Sequence, residues 1–196
     1  MPTGVALRDV REQLFAAADR ILLRDGPSAL TSRAVTTEAG CAKGVLHRHF
    51  TDFDDFLAEL VTARIAENER RAAALRESAG EGAVVEHLTD ALTDLFGPVT
   101  TAIVSLITFR DELRARLRRD RPAGVPVLTE ATAMIAEYLT AERDLGRIAP
   151  TADIGTLAPM LIGTAHLLFA DRDAGPPSRA AVGGAVSAVV AGVLSG

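Results

Sequence analysis

The sequence predicts an all-α protein. Apolar residues recur at spacings of three and four along almost the whole chain, which is the periodicity of amphipathic helices. Glycine, proline and other turn residues interrupt this pattern repeatedly, so the helices have ordinary lengths. No stretch alternates apolar and polar residues as a half-buried strand does. The 196 residues can bury a sizeable core, as one domain or as a small domain joined to a larger one.

The first fifty residues predict three helices. An apolar stripe that begins at Leu7 gives the first helix, which ends at the turn signal 25–27. Thr31 can cap a short second helix, and Gly40 provides a left-handed stop for it. The third helix is brief, at about 42–49. The side chains expected to form a small core between these helices are Leu14, Ile21, Leu30, Val35, Leu46 and Phe50.

The rest of the chain predicts longer helices separated by turns. Thr51 and Asp52 can cap a long fourth helix, which has acids in its first turns and arginines in its last, as the helix dipole favours. The loops are expected at 121–124 and 171–178. The helices after residue 52 are expected at 53–78, 83–96, 99–119 (as one helix or two), 126–144, 151–169 and 179–196.

Composition excludes several classes of protein. The formal net charge of −5 excludes a polycation that coats nucleic acid, so any DNA binding must come from a local patch. The single cysteine, Cys41, permits no internal disulfide. The N-terminal residues lack the pattern of a signal peptide. The uncharged segments 154–170 and 180–196 are shorter than the roughly 20 residues that span a bilayer. We expect a cytoplasmic protein without membrane association.

Residues 31–50 carry the pattern that indicates function. Apart from histidines, they hold three basic residues against one acid, Glu38. A short, cationic helix with small residues on a tight turn is what the DNA major groove admits. Cations and protonated histidines can meet phosphates, while glycine and valine permit close approach to the bases. The third-helix residues expected to meet DNA are Lys43, Gly44, Val45, His47, Arg48 and His49.

The order of residues in this segment closely resembles the N-terminal domain of TetR-family transcriptional regulators. The resemblance covers about 45 residues without a gap. It is carried by Ile21, Leu22, Gly26, Thr31, Arg33, Val35, Ala39, Gly40, Lys43, Gly44, Leu46, Arg48, His49 and Phe50. By this resemblance Thr31 and Arg33 contact phosphates or bases from the second helix, and the residues at 43–49 lie on the recognition helix.

Three positions depart from the family pattern. The family usually has Tyr where this chain has His47, and Ser or Thr where it has Ala42, so a hydroxyl contact is lost at each. It often has Lys where Phe53 stands, which removes one phosphate contact. A histidine at 47 can still donate a hydrogen bond to a phosphate. These departures predict weaker affinity or an unusual operator.

The resemblance also implies a division of labour. Residues 1–52 would bind DNA, and residues 53–196 would bind an effector and dimerise. The implied function is a repressor that binds a palindromic operator as a homodimer and is released by a small molecule. With eight aromatic residues and no Trp, the chain favours a small or aliphatic effector. The candidate effector contacts are His87, Phe96, Phe109, Met134, Tyr138 and His166.

The last two helices are expected to pair subunits, as in the family. Small residues recur every four positions on the last helix, which lets another helix approach closely. The helix at 151–169 offers two stripes, one of them at Met160, Thr164 and Leu167. The alternative is that both helices are core helices of a monomer. The residues predicted at the interface are Ile154, Leu157, Leu161, Ala165, Leu168, Gly184, Ala188 and Gly192.

Two other functions compete with DNA reading. An enzyme would need a catalytic or metal site, but His47 and His49 point about 200° apart on a helix and do not converge with Cys41. No glycine-rich phosphate loop, HExxH or GxSxG motif is present, so we expect no catalysis, metal or cofactor. The second competitor is a helical dimer that binds ligand or protein and has lost operator recognition.

A dense run of arginines between residues 110 and 121 is interrupted by three acids. Such a run usually forms a solvated helix face with i,i+4 ion pairs. An anionic ligand or flanking DNA is the alternative partner. The arginines are Arg110, Arg114, Arg116, Arg118, Arg119 and Arg121.

Overall fold

The protein is all-helical in a computed structural model that describes residues 4–121, 124–170 and 175–194, with side chains from Val10 onward. Within these residues the only β-type pairing is an isolated bridge between Ile148 and Leu194. The helices are α1 (Gly4–Arg24), α2 (Ser32–Glu38), α3 (Val45–His49), α4 (Phe53–Glu77), α5 (Val84–Leu95), α6 (Pro98–Phe109), α7 (Asp111–Asp120), α8 (Leu128–Asp144), α9 (Ile154–Ala170) and α10 (Arg179–Val190). A 3-10 turn at Pro27–Ala29 lies between α1 and α2. The predicted fold class is confirmed.

Several helix boundaries differ from the predicted ones for local reasons. The third helix starts at Val45, because residues 42–44 form a turn in which Val45 N donates to the Ala42 carbonyl at 2.9 Å. The segment 99–119 forms two helices, because the backbone of Arg110 is extended. Asp153 caps α9, so that helix begins three residues later than predicted. Residues 122–123 and 171–174 of the predicted loops, and residues 195–196 of the predicted last helix, lie outside the described residues.

The chain divides into two compact units. The first contains the residues up to Ala63 together with the segment that begins at Ala102, and so holds α1–α3, part of α4, most of α6 and α7. The second contains residues 64–101 and those from Gly124 onward. These compact units do not follow the boundary expected between residues 52 and 53. The functional division at that boundary remains a prediction.

The first unit is built around the core that the sequence predicts. Leu14, Leu46 and Phe50 are at most 3% exposed. Three of its phenylalanines pack together, with the ring of Phe50 5.1 Å from that of Phe56 and the ring of Phe15 5.6 Å from that of Phe56. The burial of Leu46 and Phe50, four residues apart, turns the opposite side of α3 outward.

The second unit has a core made by α5, α8, α9 and α10. The stripe of α9 that was expected at a subunit interface faces this core instead: Ile154, Leu157, Leu161 and Ala165 are at most 8% exposed. Leu168 is half-buried against the same core. The physical reason is that both faces of α9 are apolar, and the protomer uses one of them for itself.

The other stripe of α9 is the one that remains open. Met160 is 49% exposed and Leu167 is 75% exposed. On α10 the predicted Gly184 and Ala188 are also exposed, as is Gly192 just beyond the helix end.

No single helix among the described residues combines the length and apolar character needed to cross a bilayer. The bent pair of α5 and α6 meets those criteria together, by length and composition alone.

Candidate functional site

The turn between α2 and α3 is set by two residues that the sequence singles out. Thr31 is the N-cap of α2, because its hydroxyl accepts a hydrogen bond from Ala34 N at 3.1 Å. Gly40 ends α2 with φ of +65°, a conformation that an L side chain adopts only with strain. Cys41 N then donates to the Thr36 carbonyl at 2.9 Å. The chain is thereby turned into α3 within a few residues.

Helix α1 holds this turn and the end of α3 in place. Gln13 Nε2 donates to the Ala39 carbonyl at 2.7 Å, and Arg11 Nη1 donates to the His49 carbonyl at 3.2 Å. The guanidinium of Arg11 also lies 4.5 Å from the centre of the Phe50 ring and pairs with Glu59. Helix α1 therefore holds the C-terminal ends of both α2 and α3.

The predicted DNA contacts stand at the surface of this arrangement. Val45 and His49 are half-buried. The other six are exposed, namely Thr31, Arg33, Lys43, Gly44, His47 and Arg48. A Cβ added at Gly44 would meet nothing within 4 Å, so nothing in the first unit crowds the start of α3. The geometry leaves a short cationic helix open to solvent.

Glu38, the one acidic residue of the segment 31–50, is paired with two arginines of α1. Arg20 Nε lies 2.8 Å from Glu38 Oε1, and Arg24 Nη1 lies 3.1 Å from Glu38 Oε2. These hydrogen bonds, first that of Arg20 and then that of Arg24, lower the pKa of Glu38. Within the described part of the chain no carboxylate pairs with Lys43 or Arg48. The positive charge beside α3 is therefore not offset by Glu38.

A second charge cluster lies at the start of α4. Asp52 caps the helix by accepting from Asp55 N at 2.7 Å, and Asp55 accepts from Thr51 N at 2.9 Å. Arg116 of α7 lies 2.7 Å from Asp52 Oδ2 and 3.2 Å from Asp55 Oδ1. The backbone hydrogen bond from Asp55, followed by Arg116, lowers the pKa of Asp52. Arg110 pairs with Asp54 at 2.6 Å.

This cluster changes the interpretation of the arginine run. Arg114 pairs with Asp111 along α7, as a solvated face would. Arg110 and Arg116 instead neutralise the acidic start of α4, which is a long-range pairing that the sequence analysis missed. Phe53, which stands where the family often has Lys, stacks on Phe56 with ring centres 5.6 Å apart. The guanidinium of Arg110 lies 5.3 Å from the centre of the Phe53 ring.

The second unit contains two neighbouring cavities. One, of about 250 Å³, lies between α4 and α5 and is called here the α4–α5 cavity. The other, of about 400 Å³, lies between α4 and α8 and is called the α4–α8 cavity. Asn68 and Met134 line both of them. Met134 is predicted from the sequence as an effector contact, whereas Asn68 is not, since a polar residue on a long charged helix carries no visible signal of burial.

The structure brings some of the predicted effector contacts together and separates others. His87 and Met134 line the α4–α5 cavity, and Tyr138 lies behind His87 with its hydroxyl 3.1 Å from His87 Nδ1. Phe96 is buried and packs against His166, with ring centres 5.9 Å apart. Neither of these two lines the described cavities. Phe109 belongs to the first unit and is 87% exposed.

A hydrogen-bond chain leads from the buried Glu142 through Tyr138 to His87. Tyr138 donates to the fully buried Glu142 at 2.6 Å, and burial followed by the hydrogen bond to Glu142 raises the pKa of Tyr138. The Ser78 hydroxyl donates to the Leu75 carbonyl. His87 Nδ1 lies 3.3 Å from the Ser78 hydroxyl and 3.1 Å from the Tyr138 hydroxyl.

Comparisons with known proteins agree with the geometry of the first unit. Residues 14–60 match the model of the bacterial regulatory proteins of the tetR family. A comparison of the sequence with curated proteins finds no match.

Solved structures share the fold over nearly the whole chain. A TetR-family transcriptional regulator from Agrobacterium tumefaciens has a TM-score of 0.73 at 15% identity, over 96% of this chain and 100% of that chain. FadR from Bacillus subtilis, in complex with stearoyl-CoA, has a TM-score of 0.68 at 18% identity, over 92% and 98%. SmeT, the repressor of the Stenotrophomonas maltophilia multidrug efflux pump SmeDEF, has a TM-score of 0.67 at 18% identity, over 94% and 90%.

Proposed function

Because the chain is a transcriptional regulator of the TetR family, whose model its residues 14–60 match, we propose that it binds a palindromic operator as a homodimer. In this proposal it acts as a repressor, and a small-molecule effector releases it from DNA. The observation that carries the proposal is the exposed cationic segment 43–48: α1 holds the C-terminal ends of α2 and α3, and the neighbouring acid Glu38 is paired with Arg20. Because the operator is in the cytoplasm, the proposal also assigns the protein to that compartment.

Each subunit reads one half of the operator. Lys43, in the turn before α3, and Arg48, on α3, contact phosphates and base edges, while Thr31 and Arg33 add contacts from the start of α2. Val45 supplies methyl groups that can touch a thymine methyl. Two copies of α3 about 34 Å apart would reach successive major grooves on one face of the duplex.

The open apolar stripe of α9 and the exposed small residues of α10 support dimerisation. Met160 and Leu167 are large apolar side chains that water would otherwise surround. Gly184 and Ala188 leave room for a second helix to approach closely. Two such helices from each subunit form a four-helix interface. The inward stripe of α9 stays within the protomer.

The cavities of the second unit support an effector site. For release, the effector must bind more tightly to the form whose two copies of α3 do not match adjacent grooves. The two cavities are of a size that admits a small organic molecule and are lined partly by alanine, leucine and methionine.

The decisive experiment is a titration of labelled DNA that flanks the protein's own gene, read by fluorescence anisotropy. The Lys43→Ala/Arg48→Ala variant should bind at least 100-fold more weakly, since four contacts are lost from a dimer and each is worth about 1 kcal/mol or more. Arg70→Ala, which removes an exposed arginine from α4 in the second unit, is the matched control and should bind as the wild type does. Circular dichroism checks that both variants fold.

The salt dependence of binding provides an independent test. If Arg33, Lys43 and Arg48 of both subunits contact phosphates, log affinity should fall with log salt with a slope of about −5. Lys43→Ala should make the slope shallower by about 2 in the dimer. A wild-type protein that ignores this DNA at low salt, while it dimerises and binds small molecules, would overturn the proposal. It would then be a helical ligand- or protein-binding dimer without operator recognition.

A further inference from the structure

The first unit contains a cavity of its own, with a volume of about 570 Å³. It lies between the segment 27–31, which leads into α2, and the C-terminal end of α6. Leu30 and Leu106 line it and are 3% and 5% exposed, so the core of the first unit fixes part of its wall. Because Phe109 also lines it, it is called here the Phe109 cavity.

Phe109 is 87% exposed, more than any other large apolar side chain in the described part of the chain. The sequence predicts it as an effector contact, yet it lines neither cavity of the second unit. Pro27, Leu30 and Leu106 line the same cavity, so the exposed ring belongs to an apolar patch and is not a single exposed side chain. A flat ring laid on Phe109 would cover it, since aromatic rings pack in offset stacks.

The charge of the Phe109 cavity selects the sign of its ligand. Arg110 is the one charged residue among the described residues that line it, and no carboxylate does so. Arg110 Nε lies 2.6 Å from Asp54 Oδ1, whereas its two Nη groups donate to no acceptor in the described part of the chain. A guanidinium engaged through Nε can still bind a second carboxylate through its Nη groups. The cavity therefore offers donors to an anion and no partner to a cation.

Two exposed hydroxyl groups add to these donors. Ser28 and Thr31 both line the Phe109 cavity. The Thr31 oxygen accepts from Ala34 N at 3.1 Å, which leaves the hydroxyl hydrogen to be donated to another acceptor. Apolar walls, an exposed aromatic ring and a small set of donors are the features of a site for an aromatic anion.

We propose that the Phe109 cavity binds a small aromatic carboxylate. The ring of the ligand lies on Phe109 and Leu106, and its carboxylate accepts from Arg110 and from the hydroxyl of Thr31. This site is additional to the effector site proposed in the second unit, and it needs neither of the cavities there.

A ligand in this site would oppose DNA binding. Thr31 is one of the residues proposed to contact DNA, so a carboxylate bound beside it would stand close to a phosphate of the operator. Two negative charges at that distance repel each other, which lowers the affinity for DNA. This consequence rests on the proposed function, whereas binding of the carboxylate does not.

The first test compares three naphthalene probes that carry their substituent at the same ring position. Naphthoate is the anion, naphthylmethanol the neutral molecule and naphthylmethylammonium the cation. Isothermal titration calorimetry measures their binding to the full chain. Naphthoate should bind at least about 10-fold more tightly than either other probe, because it alone can accept from Arg110. Cyclohexanecarboxylate, an anion without an aromatic ring, should bind more weakly than naphthoate.

Variants locate the bound probe. Phe109→Ala changes an exposed side chain and should weaken naphthoate binding at least about 10-fold. Asp54→Asn removes the carboxylate that competes for Arg110 and should tighten it, whereas Asp54→Asn/Arg110→Gln, which removes both members of the ion pair, should weaken it. Leu23→Ala is the matched control, since Leu23 is 47% exposed in the same unit but does not line the cavity, and it should bind naphthoate as the wild type does. Circular dichroism checks that each variant folds.

The second test measures the Kd for operator DNA with and without saturating naphthoate. The probe should raise this Kd in the wild type and should raise it less in Phe109→Ala at the same probe concentration. Equal binding of the three probes, or a Phe109→Ala variant that binds naphthoate like the wild type, would overturn the site. Bound naphthoate that leaves the Kd for DNA unchanged would overturn the antagonism. Naphthoate binding with the expected variant effects, in a protein that does not bind DNA, would support the site and overturn the operator proposal.

Discussion

The segment α1–α3 and the pair α9–α10 use their apolar residues in opposite ways. In the first, each helix has one apolar face, and Leu14, Leu46 and Phe50 are all buried where the spacing predicts. In the second, α9 is apolar around its circumference and α10 is made largely of small residues. The protomer covers Leu161 but leaves Leu167 75% exposed. A polar face indicates which side of a helix meets solvent. A helix that is apolar on all sides needs two partners, and its sequence does not indicate which partner covers which side.

The largest expected effect comes from truncating a leucine on the buried stripe of α9, in comparison with a leucine on its exposed stripe. Leu161→Ala should cost about 2–5 kcal/mol in the free energy of unfolding, because it leaves a cavity in the core of the protomer. Leu167→Ala should change that free energy by less than about 0.5 kcal/mol when the protein is dilute enough to be monomeric. Urea denaturation followed by circular dichroism measures both. Equal losses in the two variants would show that the assignment of the faces is wrong.

The outward stripe can be tested through assembly. Leu167→Glu should raise the Kd of the dimer at least 10-fold, which corresponds to about 1.4 kcal/mol, because it introduces a charge into an apolar interface. Sedimentation velocity over a range of protein concentrations measures the change. Leu145→Glu is the control, since Leu145 is 58% exposed in the same unit but lies outside α9 and α10. An undiminished dimer in Leu167→Glu would remove this stripe from the interface.

In the segment α1–α3, loss of the N-cap of α2 is expected to have a smaller effect on the free energy of unfolding. Thr31→Ala removes the N-cap of α2 and should lower the free energy of unfolding by about 1 kcal/mol. Thr37→Ala, at an exposed position inside the same helix, should leave it nearly unchanged or raise it slightly. The difference between the two variants, measured in urea, isolates the cap. A matching loss at both positions would mean that helix propensity, and not capping, explains the result.

The smallest effect concerns pH. The pKa of Glu38 is lowered below its ordinary value of 4.5, first by Arg20 and then by Arg24. The unfolded chain therefore binds a proton at this site before the native chain does, and the stabilisation is present above pH 4.5 and lost as pH falls below it. Glu38→Gln should flatten this part of the stability profile, as measured by urea midpoints at several pH values. An unchanged profile in that variant would show that the pairing contributes nothing.

The sequence predicted the elements whose causes are local. Gly40 and Thr31 define the ends of α2 by their own chemistry, so the residue order alone is enough to locate the turn and the exposed residues after it. The pairing of Arg116 with Asp52 could not be found in this way, because 64 residues separate the partners and many other pairings were equally compatible with the charges. The burial of Asn68 depends on where α5 and α8 pack, which no neighbour of Asn68 in the sequence indicates. Functional residues on a short motif are thus more visible than residues that become close only after folding.

The ion pairs of Glu38 have a consequence for protein engineering. A chimera that transplants only residues 31–50 into another scaffold would carry this carboxylate without Arg20 and Arg24. The graft would then present an uncompensated anion beside the phosphate backbone, and its recognition would suffer even if its helices were perfect. The segment to transplant therefore begins at Arg11. It then includes Arg11 and Gln13, which hold the ends of α3 and α2, and the two arginines that pair with Glu38.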